Sequence, residues 1–354
     1  MKAAELCLLI ALTCGATARS YALTTEEIAN LTGPDRQKIL EDGARKEGEL
    51  LWLGGFNEEN ARPIIKGFMA RYPFIKVNRV RTDGIQAFQR VLAELRARAP
   101  HTDLITADSV VDLEKADAVQ PFKSPALDAW PVQDRDPTGL TAPLYFNYYG
   151  LVAVNTNQMT AAEAPTTYDD LLNPKWKGQM VINNNESGGL FLVSFLRMLW
   201  GDAKAETYLE KLAQQKVIER SESARTVLGL VASGDYKIMI YPHLTHVGEL
   251  TRKGAPIDVT MSDPVPFSDE PFLLMKSAPH PYATMLLIDY LLGTEAQGML
   301  RDAGYFPASP TVAPAAELKP YLPETKRLGK FLVRDRAFDE MMPETQAWYA
   351  RLFD

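Results

Sequence analysis

Apolar positions fall into alternating short runs and longer helical stripes over the first third of the chain. Glu49 to Leu53 is a strand-length apolar run, and it ends in Gly54-Gly55-Phe56-Asn57. A strand that feeds two glycines before a helix brings backbone close to a ligand. The next helix carries Ile64, Ile65, Phe68 and Met69 on one face and stops at Tyr72-Pro73. Phe74 to Val80 predicts a second strand, and Asp83 caps a long helix through Arg98, with Phe88, Val91, Leu92 and Leu95 in its stripe. Asp103 to Ala107 predicts a third strand, Asp108-Ser109 a turn and Val111 to Ala116 a short helix. This β-α-β-α-β-α order implies a parallel sheet with helices on its faces.

Periodicity gives way between Pro121 and Pro143 to a proline- and aspartate-rich loop. The stretch Leu140 to Thr156 then gathers Tyr145, Phe146, Tyr148 and Tyr149 and finishes as a strand, Leu151 to Asn155. We read it as a crossing between two lobes that also lines the cleft between them. Alternation along the strand sends Tyr145, Asn147 and Tyr149 to one side and Phe146 and Tyr148 to the other.

A second set of elements follows, with strands at Gln179 to Ile182 and Lys237 to Tyr241, the latter broken by Pro242. Helices are predicted over Leu190 to Trp200, Ala203 to Gln215, Ala224 to Ser233 and Thr245 to Lys253. An extended segment, Ile257 to Met261, returns the chain to the first lobe, where Pro271 to Met275 adds a strand and two helices span Pro281 to Leu292 and Thr294 to Ala303. The C-terminal remainder, helical to Asp354, is expected to wrap the first lobe. The expected division is therefore 23–143 with 262–354 as a discontinuous first lobe and 144–261 as the second.

Length supports two lobes, since 354 residues exceed what one compact core holds. Net charge is −7 with no polybasic run, which argues against nucleic acid or an anionic membrane surface as partner. At the start, Lys2 precedes the apolar run Leu6 to Leu12 and two A-x-A-like sites, Ala16-Thr17-Ala18 and Ser20-Tyr21-Ala22. Residues 1–22 thus read as a secretory signal peptide, cleaved after Ala18 or Ala22, which places the mature chain in the periplasm. Both cysteines, Cys7 and Cys14, fall inside it, so neither a disulfide nor a thiolate nucleophile is expected afterwards.

Several side chains fall at the carboxyl ends of predicted strands, where ligands of open α/β sheets bind. These are Phe56 and Asn57, then Arg81, then Asp108 and Ser109. Asn57, Asp108 and Ser109 can equally cap the helices that follow them, whereas a guanidinium at a cleft mouth suits carboxylate or phosphate. In the second lobe Asn184, Asn185 and Ser187 precede a helix whose positive end favours an anion. Tyr241 and His243 flank Pro242 and offer a phenol and an imidazole to a polar ligand or a metal.

Two stretches resemble a known family. Ser277-Ala278-Pro279-His280-Pro281-Tyr282-Ala283, running on to Leu291-Leu292-Gly293-Thr294-Glu295-Ala296-Gln297, and then Gly304-Tyr305-Phe306-Pro307, resemble landmarks of bacterial extracellular solute-binding proteins of the ferric-iron-type branch. Leu151 to Asn155 is similar to that family's inter-lobe strand. The resemblance implies a type II periplasmic binding protein of α/β class: each lobe a central sheet flanked by helices, two crossing hinge strands, and a solute handed to an ABC permease by a monomer without cofactor. Ferric-binding members carry a histidine after the first strand, an adjacent tyrosine pair after the second-lobe strand, and a basic run before the crossing. This chain has Gly55-Phe56-Asn57, Tyr241-Pro242-His243 and Thr141-Ala142-Pro143 there.

The departures favour a small polar or anionic solute, with Tyr145, Asn147 and Tyr148 among its contacts and no metal. Ferric iron or an iron chelate is the alternative ligand, and a sensor subunit for a membrane receptor the alternative role. An enzyme is disfavoured: the sequence has no G-x-S-x-G elbow and no H-E-x-x-H, and His101, His243, His246 and His280 are scattered.

Overall fold

The computed structural model describes residues 23–353 except 83, 107–109, 133–134, 161, 185–187 and 334–335, so the signal-peptide expectation lies outside the described residues. The chain opens with α1 (Thr25–Ala29) and α2 (Arg36–Glu47). It then alternates β1 (Glu49–Gly54), α3 (Glu58–Arg71), β2 (Lys76–Arg81), α4 (Gly84–Ala97), β3 (Leu104–Thr106), α5 (Val110–Lys115) and β4 (Val119–Gln120). After β5 (Thr141–Tyr148) come β6 (Val152–Asn155), β7 (Met180–Asn183), α6 (Gly189–Trp200), α7 (Asp202–Ala213) and β8 (Ile218–Arg220). Next are α8 (Ala224–Ser233), β9 (Ile238–Ile240), α9 (Leu244–Arg252) and β10 (Ile257–Thr260). The chain ends with β11 (Val265–Met275), α10 (Pro281–Leu292), α11 (Thr294–Asp302), β12 (Phe306–Pro307), α12 (Pro323–Lys326), β13 (Lys330–Leu332) and α13 (Arg336–Phe353).

These strands form two sheets. The first runs β12-β5-β11-β3-β1-β2, with β4 and β13 also on β11, and the second runs β10-β6-β9-β7-β8. β1 pairs in parallel with β2 and β3, and β7 in parallel with β8 and β9, as crossover helices require. Each sheet has a helix that is apolar nearly all round and buried against it: α10 for the first, α6 for the second. Such a helix is stable only inside a core.

The N-terminus of α10 shows how that helix is seated. Pro281 occupies its first turn, where no N–H is needed, and the Glu47 carboxylate accepts from the N–H groups of Tyr282 (3.2 Å) and Ala283 (2.7 Å). Beside it the buried Asp103 carboxylate accepts from the backbone N–H groups of Leu51 and His280, each at 2.7 Å, and lies 2.9 Å from Nδ1 of His280. Gln297 on α11 is also fully buried. Its amide donates to the carbonyls of Leu144 and Leu291 and accepts from the N–H groups of Ala308 and Ser309. The resembling landmarks at 277–283 and 291–297 thus hold the first lobe together.

Passage between the sheets occurs twice as expected: between β5 and β6, and between β10 and β11. Gly150 in the first passage packs so tightly that a Cβ would lie 2.3 Å from Val259. A third passage was not foreseen. β13 pairs with β11 of the first sheet, yet α13, next in the chain, packs mainly on α6 and α7 of the second lobe, with a smaller contact to α5 of the first. The buried Arg197 of α6 donates to Glu344 at 2.6 Å and to the Thr345 hydroxyl at 3.2 Å, and its guanidinium stacks 4.4 Å from the Trp348 ring. The expectation that residues to 354 wrap the first lobe is corrected for α13: an amphipathic helix shows that it needs an apolar surface, not which lobe supplies it. β11 is also longer than expected, because Val265 to Asp269 pair with β13 and with the end of β5.

Candidate functional site

The carboxyl ends of β1, β2 and β3 belong to one lobe and those of β7, β8 and β9 to the other, and a helix follows each of them. Gly54 closes β1 at φ +151°, and a Cβ there would sit 2.5 Å from the Thr106 carbonyl, so only glycine lets the first and third strand ends approach. The carboxyl edges come together near Tyr305. Its hydroxyl accepts from Asn60 of α3 at 3.0 Å, and it feels the charges of Glu270 on β11 and of Glu249 and Arg225 on α9 and α8. Burial pushes its phenol pKa up.

On the first lobe, Phe56 is buried, with ring centroids 5.7 Å from Tyr145 and 5.6 Å from Tyr305. Arg79 pins the turn, donating to the Phe56 carbonyl at 2.5 Å and to Glu58 at 3.0 Å. Asn57 spends its side-chain oxygen on the Glu59 N–H at 2.9 Å and so caps α3. Arg81 ends β2 exposed, with no ion pair among the described residues. Tyr145 is buried with its ring 4.4 Å from Tyr305, and half-buried Asn147 faces Ser268 in the β5–β11 register. Tyr148 is buried between Phe267 (5.4 Å) and Phe306 (4.9 Å).

On the second lobe, Tyr241 has a left-handed backbone, φ +61°, uncommon for a bulky side chain. That turn sends the ring inward, fully buried, 5.0 Å from Tyr149 and 5.8 Å from Phe191. Its hydroxyl is buried without a hydrogen-bond partner among the described residues, and burial pushes its pKa well above that of free tyrosine. His243, nearly buried, is the N-cap residue of α9 but makes no side-chain cap; its ring lies 4.5 Å from Tyr149 and 5.3 Å from His246. Burial, with the Arg225 charge adding, pulls His246 down to about 4, so it is neutral at ordinary pH. Asn184 is exposed after β7, its N–H donating to the Arg220 carbonyl at 2.9 Å. Ser109, Asn185 and Ser187 lie outside the described residues.

Arg81, Asn147, Asn184 and His243 thus stand near strand ends or crossings, whereas Phe56, Tyr148 and Tyr241, expected at the ligand, are packed into cores, and Asn57 is committed to capping. Tyr149 was seen only as one of an aromatic cluster, and Tyr305 only as part of a landmark. Nothing in their spacing told that Tyr149 would enter the second core or that Tyr305 would meet Asn60.

Comparison with known proteins places this arrangement. A family described as bacterial extracellular solute-binding protein matches residues 93–329. Among solved structures, the chain is similar to IdiA (FutA) of Trichodesmium in complex with iron and citrate ligands, at 19% identity and TM-score 0.71, over 86% of this chain and 99% of that one. It is similar to the apo ferric ion-binding protein A of Pasteurella haemolytica at 18% identity and TM-score 0.73, over 86% and 98%. It is also similar to the periplasmic binding protein AfuA of Actinobacillus pleuropneumoniae with fructose-6-phosphate bound, at 19% identity and TM-score 0.68, over 86% and 97%.

Proposed function

The chain belongs to the bacterial extracellular solute-binding protein family, and from that premise we propose that it captures a small organic anion between its lobes. It has the substrate-binding role in an ABC transporter, and proteins of this kind deliver their ligand to an ABC permease. The family is a non-catalytic transport component, extracellular or periplasmic.

The observation that carries the anion is a pair of helix starts. α6 follows β7 and α9 follows β9, and neither N-cap residue, Gly188 or His243, makes a side-chain cap among the described residues, whereas α3 and α8 are capped by Asn57 and Ser223. Uncapped N–H groups at the positive end of a helix bind carboxylate or phosphate, and Arg81 at the opposite lobe's strand end adds a guanidinium without an ion pair among the described residues. Iron with citrate and a phosphosugar are the ligands of two structural relatives. The inward turn of Tyr241 argues for the phosphosugar kind of chemistry, because a fully buried phenol packed among Tyr149 and Phe191 is turned away from an ion held between the lobes.

Mass spectrometry of molecules that co-purify, followed by a thermal-shift screen of phosphorylated and carboxylated metabolites, tests this reading. A ligand that binds only the folded state raises Tm. A visible tyrosinate-to-iron band in the purified protein, bleached by citrate, would overturn it in favour of ferric iron.

A further inference from the structure

The proline- and aspartate-rich segment between Pro121 and Pro143 folds back over the turn between α1 and α2 and encloses a cavity of about 480 Å³. β5 runs parallel to β1, through β11 and β3, so the cavity lies where β1 and β5 begin, at the edge of the first sheet remote from the ligand cleft. Its wall is apolar, from Leu31, Phe122, Leu127, Ala142 and Pro143. Charged groups complete it, and their hydrogen bonds show which are still available.

Asp136 is spent on its own turn. Its oxygens accept from the N–H groups of Thr138, Leu140 and Thr141 and from the hydroxyls of Thr138 and Thr141. Arg36 is buried, and it donates from Nη1 and Nη2 to Asp289, from Nη2 to the Lys123 carbonyl and from Nε to the Leu31 carbonyl. One Nη1 hydrogen of its guanidinium remains without a partner among the described residues. Arg135 is fixed differently. Nε and Nη2 donate to the Trp130 carbonyl at 2.9 and 2.6 Å, Nη2 also to the Asp128 carbonyl at 3.1 Å, and Nη1 has no described acceptor. A guanidinium held rigid by neutral carbonyls keeps its charge for a guest. The Lys123 ammonium at the rim has no ion pair among the described residues either.

We propose that this cavity is a second small-molecule site, distinct from the inter-lobe cleft, for a monocarboxylate with a compact apolar body. The carboxylate pairs with Nη1 of Arg135 and the spare hydrogen of Arg36, while a branched aliphatic chain or a single ring fills the wall. Its volume is within the range of small-molecule pockets. Asp128, lining the same cavity, disfavours a second negative charge on the guest.

Isothermal titration with benzoate and isovalerate, and with benzyl and isoamyl alcohol as uncharged counterparts, tests it. Saturable binding of the acids is expected, at least tenfold tighter than the alcohols, about 1.4 kcal/mol. Leu127→Trp, which fills the cavity, should abolish it, and Arg81→Ala, at the cleft, should leave it unchanged. Since Leu127→Trp risks misfolding, Lys123→Glu at an exposed position gives a second reading, a clear loss of affinity. No saturable binding by the unmodified protein at roughly 10 mM acid, alcohols that bind as well as acids, unchanged affinity in Lys123→Glu, or loss of binding in Arg81→Ala would each overturn the proposal.

Discussion

The hydroxyl of Tyr149 lies 3.3 Å from that of Ser268. Tyr149 follows directly on β5, where the first passage begins, and its ring stacks 4.3 Å from Phe191 in the second core. Ser268 is on β11, just beyond the second passage, and is buried in the first lobe's sheet. One side chain therefore ties a strand of one lobe to the core of the other. Tyr149→Phe and Ser268→Ala should each lower stability by about 1 kcal/mol, the net worth of a buried hydrogen bond. In urea denaturation the double variant should cost no more than the larger single change. Additive losses would show that the two hydroxyls are not bonded.

Tyr241 separates fold from function by two substitutions. Tyr241→Phe removes a buried hydroxyl that has no partner among the described residues, so Tm should hold or rise. Tyr241→Ala empties a core position and should cost about 3–5 kcal/mol, as aromatic truncations do. Differential scanning calorimetry reads both, and a large loss in Tyr241→Phe would mean that the hydroxyl has a structural or ligand partner.

Arg81 is an exposed cation at a strand end, so Arg81→Ala should leave stability within about 0.5 kcal/mol of the parent, as for other surface substitutions. It should weaken the co-purifying anion at least tenfold, about 1.4 kcal/mol. Calorimetric titration against the identified solute decides; unchanged affinity removes Arg81 from the site.

Stability should fall as pH rises from about 4.5 to beyond 7. Burial lifts Glu47 from the ordinary carboxylate range to about 7, against the opposing pull of the Ala283 and Tyr282 N–H groups and of the His280 charge. The hydrogen bond to Asp103 raises His280, with burial opposing it and the charges of Asp103 and Glu47 adding to the rise. Both groups hold a proton more tightly folded than unfolded, so the stability they contribute is whole below the unfolded pKa and lost as pH climbs through the folded one. Urea midpoints at pH 5 and 8 should differ in that sense, and Glu47→Gln should shrink the difference. A midpoint that rises between those values would contradict the assignment.

β1 and β3 were legible because their apolar runs mark buried strands, β1 with a glycine stop as well, and β2, a half-exposed edge strand, because it falls between two helical stripes. β8 was not, since Ile218-Glu219-Arg220 is three half-buried residues with no period to detect. At the site, Arg81 could be placed from its strand end alone. Tyr148 could be assigned a side of its strand but not a neighbour, and the neighbours, Phe267 and Phe306, come from 119 and 158 residues further along the numbering. Tyr241 could be placed at its strand end, but not its left-handed backbone, which turns the ring into the second core and which the proline after it does not signal.

The third passage sets the first and last described helices mainly on different bodies. α1 packs on α10 of the first lobe, while α13 is held chiefly by α6 and α7 of the second, with a smaller contact to α5 of the first. A donor fluorophore placed before Thr25 and an acceptor placed after Phe353 would each ride with a separate lobe, so their energy transfer would report opening and closing without touching a side chain in either core. The chain carries its own calipers, and a solute could be recognised by the distance between its ends.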